Sequence, residues 1–469
     1  MAPGPAGPKA GGMTLPQHLT VRSPEDILGF IPHSLGYWPA DSLVAMTLHG
    51  KRLGATLRLD LPGPETLADP RHYARSVRDY LLADHGSDAA LLVFFTNDGW
   101  TDLPRTYTGL LAALQAVLGT AGMPVREAWY VGDSYWRDAY CTDPSCCPLP
   151  GRSIDDIRDS MLNAEMVFRG SSVGPAPDDQ TQPPRSVSAE DTAAMLAAEA
   201  AWSTDLEPRR RSRAQFNALL AFWEGLIAAP QGNALSCDPL PDDAPAGGSL
   251  SGDAFPSQLP PDLALPAPSQ AFLRASLQVP AWRDAVLVMA AAGFPAALAG
   301  AEQFGIFDAG CVLAPVVPPA TIPPAIAQPA AGLPAAGLPG TGLIVPPVSL
   351  PDSVPEGASG VPGYGEVLLG LEPDMPDWSR LHRLDRVLEQ LSLWGGQAAA
   401  AALTGRGWIS WCRGRGSYAA AFLGKALEEE EGYRLAELML ELVRRGTLCG
   451  WAARKDAAWR KFDSDAAWG

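Results

Sequence analysis

The chain has 469 residues, of which 47% are hydrophobic, so it is long enough to bury a sizeable core and to form two or three domains. Its formal net charge of −17 argues against generic nucleic-acid binding, which needs clustered Lys and Arg, and against adhesion to anionic membranes. Its 47 Gly and 46 Pro predict long linkers, and the odd count of seven Cys argues against a disulfide scaffold.

The ends of the chain and its most apolar stretch predict a cytoplasmic protein. Residues 1–17 are rich in Gly and Pro and lack an apolar run, which predicts a disordered tail and not a secretory signal. Residues 285–301 are apolar but are interrupted by Gly293 and Pro295. A buried core helix is therefore expected there, and not a membrane span.

Residues 18–170 alternate between strand and helix patterns. Apolar runs at 42–48 and 90–96 are typical of buried strands, and the first of them is followed by an alternating run that predicts a hairpin. Amphipathic spacing predicts a helix over 70–83, and Ser153 with Asp156 indicates the capped start of another helix that runs to residue 168. This order predicts an α/β domain with three layers and a mixed sheet.

The rest of the chain alternates between helical and Pro-rich segments. The final part resembles a tetratricopeptide unit weakly, because Gly407, Ala419 and Ala426 fall near its small packing positions, and a plain helical bundle is the alternative. Helical hairpins of this kind form interaction platforms, so a protein partner is expected at the C-terminal domain. The predicted parts are a helical extension at 171–229, a disordered linker at 230–269, a helical segment at 270–308, a Pro/Ala/Gly-rich linker at 309–365 and a helical domain at 366–469.

Three cysteines lie close together after the last predicted strand: Cys141, Cys146 and Cys147. They could bind zinc or another divalent metal, or they could form a redox or disulfide site beside flanking arginines. They could also be buried thiols of a Pro-rich turn, which is the interpretation we favour because zinc prefers four ligands and no clean fourth one is nearby. The residues that could complete a metal site are Asp143, His33, His49 and Cys237.

Three carboxylates follow predicted strands: Asp60, Asp98 and Asp133. Ligands of open α/β sheets bind at the carboxyl ends of the strands, so parallel strands would bring these side chains together. They could then hold a divalent cation for phosphoester hydrolysis, as catalytic residues of a hydrolase or nuclease. The alternative is ordinary turn chemistry, since Asp is common in turns.

Two further segments carry polar residues of catalytic or binding type. His33, Ser34 and Asp41 include the residue types of a Ser–His–Asp triad, but the chain has no G-x-S-x-G elbow, so a fixed connection between helix and strand is the simpler interpretation. The basic run at 207–213 could bind an anion, although a solvated helix face is expected. No P-loop and no dinucleotide-binding glycine motif occurs in the sequence, so no cofactor is predicted.

Several segments together are similar to the actinobacterial family called domain of unknown function 4192: SPEDILGFIPHSLGYWPADSLVAMTL at 23–48, GDSYWRDAYCTDPSCCPLPG at 132–151 and GRGSYAAAFLGKALEEEEGYRLAELMLELVRRG at 414–446. The two long Pro/Ala-rich ranges depart from the family pattern. The resemblance implies a soluble protein of uncharacterised role, with no catalytic residues to transfer. It also implies that Trp136, Tyr140 and Pro148 belong to the same family segment as the three cysteines.

Three functions follow from these patterns. The first is a non-enzymatic scaffold or regulatory binding protein, which the Pro-rich linkers and the lack of a strong catalytic motif favour. The second is a metal-dependent hydrolase or nuclease that uses the strand-end carboxylates. The third is a metal or redox sensor built on the cysteines.

Overall fold

The structure is a computed structural model that describes residues 21–97, 103–169, 171–177, 187–228, 265–319, 361–454 and 456–459. The chain divides into two compact units, Met1–Ala176 and Pro177–Gly469, called the α/β unit and the helical unit below. The predicted tail, Asp98, Cys237 and most of both predicted linkers lie outside the described residues.

The α/β unit is built on a sheet with the strand order β2-β1-β3-β4-β5-β6. β3 and β4 are parallel, and each of the other neighbouring pairs is antiparallel, so the predicted hairpin of β1 and β2 and the predicted mixed sheet are confirmed. The strands are β1 (Ser42–His49), β2 (Arg52–Asp60), β3 (Ala89–Phe95), β4 (Val125–Val131), β5 (Tyr135–Asp138) and β6 (Arg152–Ser153).

Helices cover both faces of this sheet. Alternate residues of a strand point to opposite faces, so Leu92 and Phe94 pack under α3 and α4, while Val93 and Phe95 pack under α1 and α5. The three layers are therefore as predicted. The helices are α1 (Pro24–Leu35), α2 (Pro64–Ala68), α3 (Arg71–Leu81), α4 (Leu103–Thr120), α5 (Asp155–Arg158) and α6 (Met161–Phe168).

The single helix predicted from Ser153 to residue 168 is wrong. Ser153 pairs with Tyr135 in the sheet, and its hydroxyl accepts a hydrogen bond from the Asp155 backbone N–H at 3.2 Å. The helix that follows, α5, ends after four residues at Arg158. A separate helix, α6, begins after Ser160, whose hydroxyl accepts a hydrogen bond from the Asn163 backbone N–H at 3.2 Å.

The helical unit contains the other described helices. None of the described helices in the chain combines the length and apolar character that a membrane crossing needs. The helices are α7 (Ala189–Leu206), α8 (Arg213–Ile227), α9 (Ala267–Leu277), α10 (Pro280–Ala292), α11 (Phe294–Gln303), α12 (Tyr364–Leu368), α13 (Trp378–Leu391), α14 (Gly396–Cys412), α15 (Gly416–Glu429), α16 (Arg434–Arg444) and α17 (Gly450–Ala453).

Buried ion pairs join helices that are far apart in the sequence of this unit. Arg274 of α9 donates to Glu199 of α7 at 2.6 Å, and its side chain has no exposed surface. Arg380 of α13 forms a two-bond ion pair with Glu224 of α8. Helices from the predicted extension, the predicted segment and the predicted C-terminal domain therefore pack directly against one another.

Small residues allow the closest helix contact of the C-terminal part. A Cβ at Gly407 in α14 would lie 2.7 Å from the Leu423 side chain of α15, so only Gly fits there. Ala419 and Ala426 of α15 are fully buried. These small residues are buried where α14 and α15 pack together, and the tetratricopeptide likeness stays a prediction.

Candidate functional site

The loop between β5 and β6, called the thiol loop below, is folded by two aspartates. The Asp138 carboxylate oxygen Oδ1 accepts hydrogen bonds from the backbone N–H groups of Tyr140 at 2.7 Å and Cys141 at 2.8 Å. The Asp143 carbonyl accepts from the N–H groups of Cys146 and Cys147. These turns reverse the chain twice within ten residues and bring the cysteines to the same place.

The three sulfur atoms of Cys141, Cys146 and Cys147 lie within 4.8 Å of one another. Among the described residues, this is the one group of three or more His, Cys, Asp or Glu side chains that converges closely enough to share a metal ion. Cys147 is buried, Cys141 is half-buried and Cys146 is exposed. The three cysteines that are close in the sequence therefore also form a cluster in the structure, and Cys146 is its exposed member.

The backbone around the cluster stabilises negative charge on sulfur. A hydrogen bond from the Asp143 backbone N–H, followed by one from the Cys147 thiol, lowers the pKa of Cys141. Burial raises the pKa of Cys147 to about 11, although the Asp138 backbone N–H opposes this by donating to the same sulfur. Cys141 therefore ionises before Cys147, which donates a hydrogen bond to it.

A cation lies beside the exposed sulfur. The Arg152 guanidinium donates to the Cys146 carbonyl at 3.1 Å, and one of its nitrogens lies 3.7 Å from the Cys146 sulfur. The same group stacks 5.2 Å from the centre of the Trp136 ring and pairs with Glu25 at 3.2 Å. Arg152 is thus held in place from three sides, with its guanidinium beside the Cys146 sulfur.

The other residues of the family segment support this loop. Trp136 is 2% exposed and forms the surface under Arg152. A Cβ at Gly151 would lie 2.7 Å from the Trp136 carbonyl, so Gly is required where the loop returns to β5. The Tyr140 hydroxyl accepts a hydrogen bond from Gln115 at 3.0 Å, while Pro148 is exposed.

The residues proposed to complete a metal site have other partners. His33 is buried and makes hydrogen bonds of 2.8 Å to Ser171 and 2.7 Å to Asn163. His49 pairs with Asp84 at 3.0 Å. The Asp143 carboxylate accepts from Ser145, which lowers the pKa of Asp143. The described loop therefore offers three sulfur ligands and leaves a fourth position open.

The Ser–His–Asp interpretation of the segment after α1 is not supported by the partners of His33. Its two ring nitrogens contact Ser171 and Asn163, which are more than 120 residues away in the sequence. These hydrogen bonds join α1 to α6 and to the chain after it. Sequence reasoning missed both partners, because no local spacing signals a contact over that separation.

The strands that precede Asp60, Asp98 and Asp133 end at the same end of the sheet. Asp60 pairs with Ser42, Ser42 with Phe95, and Phe95 with Val131, so β2, β3 and β4 end side by side and point the same way. The carboxylate of Asp60 is 82% exposed and pairs with Arg58 at 2.6 Å.

Three strand spacings separate the end of β2 from the end of β4, a distance of about 14 Å. Asp133 follows β4, and its backbone N–H donates to Asn97 at 2.8 Å. Asp98 lies outside the described residues. The catalytic role of the three carboxylates stays a prediction.

Comparison with known proteins agrees with the family segment described above. No curated protein and no solved structure matches the chain. The model of the family described as "Domain of unknown function (DUF4192)" matches residues 24–301 and 383–448, which include the thiol loop, both sheet faces and most of the described helices. The chain therefore belongs to the DUF4192 family.

Proposed function

We propose that this protein is a non-enzymatic regulatory protein that binds a thiophilic divalent metal ion, Zn²⁺ foremost, through Cys141, Cys146 and Cys147. The observation that supports it is the convergence of the three sulfur atoms within 4.8 Å. Tetrahedral zinc with Zn–S bonds of about 2.3 Å holds its sulfurs about 3.8 Å apart, so the cluster needs little movement to bind the ion.

Charge balance also favours a metal at this position. Three thiolates and one divalent cation carry a net charge of −1, and Arg152 next to Cys146 offsets that charge. Backbone N–H groups of Asp138 and Asp143 already donate to two of the sulfurs, as outer-shell partners of metal thiolates do. Three ligands with an open position suit an exchangeable ion, whereas structural zinc sites use four.

The proposal predicts that the affinity for the metal ion depends on pH. Each thiol must lose its proton to bind the ion, so metal binding releases protons and the affinity rises with pH. The raised pKa of Cys147 makes this dependence steep through neutral pH, because that thiol is protonated in the metal-free protein.

The test is a metal titration of the full chain after reduction and chelator treatment. Co²⁺ is added first, because thiolate ligands produce intense charge-transfer absorption, and Zn²⁺ is then used to displace it. One ion per chain is expected. Cys146→Ser removes an exposed ligand without disturbing the core, and its affinity should fall by more than the roughly 10–100-fold typical of losing an outer-shell partner.

Cys311→Ser is the matched control, since Cys311 is a free cysteine in the helical unit. Its metal affinity should equal that of the wild type. The proposal is wrong if the wild type binds no Co²⁺ or Zn²⁺, or if both serine variants bind equally well.

A thiol redox sensor is the second candidate, and the lowered pKa of the half-buried Cys141 favours it. Peroxide would oxidise two of the thiols to a disulfide, taking two electrons and two protons and forming water. If the metal is the physiological ligand, saturating Zn²⁺ should block this oxidation. Disulfide formation is measured as the loss of two hydrogens from the intact mass of the protein. Equal rates of disulfide formation with and without Zn²⁺ would favour the redox role.

Two predictions from the sequence stay open beside this proposal. A partner for the helical unit is supported only by the analogy between helical hairpins and interaction platforms. A hydrolase with Asp60, Asp98 and Asp133 is supported by the common direction of the strands that precede them, while the roughly 14 Å across three strand spacings argues against one shared ion.

A further inference from the structure

A cavity of about 310 Å³ lies between α4 and the end of β4 in the α/β unit. Its size is at the lower end of the range for small-molecule sites. The wall is mostly apolar and has no charged side chain, and its lining includes Thr108, Leu111, Ala112, Gln115, Tyr130 and Tyr140.

Tyr130 lines this cavity and carries a hydroxyl donor. The residue is 1% exposed overall. Its ring is held by Phe94 and Tyr107, whose ring centres are 5.3 Å and 6.3 Å away. A hydroxyl at the wall of an open cavity can donate to water or to a ligand acceptor that displaces the water.

A second donor stands at the same cavity. The Tyr140 hydroxyl accepts a hydrogen bond from the Gln115 amide at 3.0 Å, which leaves its own proton free to donate. A tyrosine hydroxyl has an ordinary pKa of about 10, so both hydroxyls are protonated at neutral pH. The cavity therefore presents two neutral O–H donors.

The cavity favours an uncharged ligand, because none of its lining residues is charged. A carboxylate or phosphate would lose its water there without a lining cation to pair with. The ligand that fits is uncharged, has an apolar ring and carries an acceptor oxygen.

We propose that this cavity binds a small uncharged ring molecule whose carbonyl oxygen accepts hydrogen bonds from Tyr130 and Tyr140. The position agrees with α/β sheets in general, where ligands bind near the carboxyl ends of parallel strands, since Tyr130 is one residue from the end of β4. The inference does not depend on the metal, because none of the three cysteines lines the cavity.

The cavity and the thiol loop nevertheless share a turn. The Asp138 carboxylate accepts hydrogen bonds from the N–H groups of both Tyr140, which lines the cavity, and Cys141, which belongs to the thiol cluster. Movement of Tyr140 on ligand binding therefore acts on the neighbouring thiol through this turn.

Acetophenone is the probe, because it combines one ring with one carbonyl. Its binding to the metal-free full chain is measured by ligand-observed NMR, beside ethylbenzene, which lacks the acceptor, and benzoate, which is charged. We expect acetophenone to bind most tightly. Tyr130→Phe should weaken the binding of acetophenone by about tenfold, because one hydrogen bond is lost, and should leave the binding of ethylbenzene unchanged.

Ala112→Trp supplies the second variant. Ala112 is exposed at the cavity wall, so the larger side chain should fill the cavity without disturbing the core, and acetophenone binding should disappear. The proposal is overturned if acetophenone does not bind, if Tyr130→Phe binds it as tightly as the wild type, or if benzoate binds better. Because the experiment uses metal-free protein, its failure leaves the metal proposal untouched.

Discussion

The α/β unit and the helical unit both bury tyrosines and group their cysteines, yet they partner these side chains differently. In the helical unit the Tyr364 hydroxyl donates to the Ala297 carbonyl at 2.6 Å. In the α/β unit the Tyr130 hydroxyl has no partner among the described residues. Polar groups that satisfy one another hold a fold together, whereas those left over are available to a ligand.

The cysteines show the same difference. Cys412 and Cys449 of the helical unit are fully buried and hydrogen-bonded to each other. Burial raises the pKa of Cys412, and the hydrogen bond from the Cys412 thiol lowers that of Cys449. In the thiol loop of the α/β unit, by contrast, Cys146 is exposed. The surroundings of the sulfur, more than the number of cysteines, separate a structural pair from a candidate site.

The largest expected difference is in alkylation by iodoacetamide. Cys146 should react quickly in the native protein, while Cys412 and Cys449 should react at least about 10³-fold more slowly, because their exposure requires opening of the helical core. Peptide mapping by mass spectrometry measures each site. Reaction of Cys412 at the rate of Cys146 would break the comparison between the units.

The next largest effect concerns the buried ion pair of the helical unit. Arg274→Met leaves Glu199 buried without its partner, so the free energy of unfolding should fall by about 3–5 kcal/mol. Urea unfolding followed by circular dichroism measures this loss. Arg434→Met is the control, because its pair with Glu437 is exposed and contributes at most about 1 kcal/mol. Equal losses in both variants would show that burial of the pair does not matter.

A pH-dependent contribution is expected from Asp84 of the α/β unit. Burial raises its pKa, but hydrogen bonds from Thr47, the Ala55 N–H and His49 outweigh burial and lower it below the ordinary 3.8. Asp84→Asn should cost about 2 kcal/mol at pH 7. A lowered folded-state pKa stabilises the protein above the unfolded-state value. The wild-type advantage should therefore be complete well above pH 3.8 and vanish as the pH falls through the lower value.

Urea unfolding of the wild type and Asp84→Asn across pH 3 to 7 tests this dependence. Asp79→Asn is the control, since its side chain is 62% exposed and pairs with Arg78 at the surface. A difference between wild type and Asp84→Asn that stays constant over this pH range would contradict the assigned role of the carboxylate.

The smallest effects come from the two tyrosines. Tyr364→Phe removes a buried hydrogen bond and leaves the Ala297 carbonyl unpaired, so it should cost about 1 kcal/mol. Tyr130→Phe removes a hydroxyl without a partner, so stability should stay within about 0.5 kcal/mol of the wild type. Thermal unfolding of both variants compares them, and a larger loss for Tyr130→Phe would reveal a partner for that hydroxyl.

Much of the local structure could be predicted because it depends on neighbouring residues. The helix predicted over 70–83 is α3, Arg71–Leu81, since its apolar spacing alone selects the buried face. The apolar run at 285–301 is buried as predicted, but Gly293 divides it between two helices, α10 and α11, where a single helix was expected. The thiol loop was found because its cysteines are close in the sequence.

The parts that could not be predicted depend on contacts across the chain. The partners of His33 lie over 120 residues away, and Arg274 meets Glu199 across 75 residues. Ser153 pairs with Tyr135 of β5 although it also accepts a hydrogen bond from the Asp155 N–H, and local spacing does not signal that strand pairing. Local spacing carries no information about which distant side chain completes a hydrogen bond.

The sequence by itself determined many of the elements, the mixed α/β character of the first unit, the helical character of the second and the position of the cysteine cluster, because hydrophobic period and turn chemistry are local. Only the tertiary structure decided which groups have partners. It brought the three sulfurs to within 4.8 Å of one another beside Arg152, and it placed Tyr130 in the wall of a cavity. Both depend on how strands and helices pack, since a buried polar group is satisfied only by what the fold brings to it.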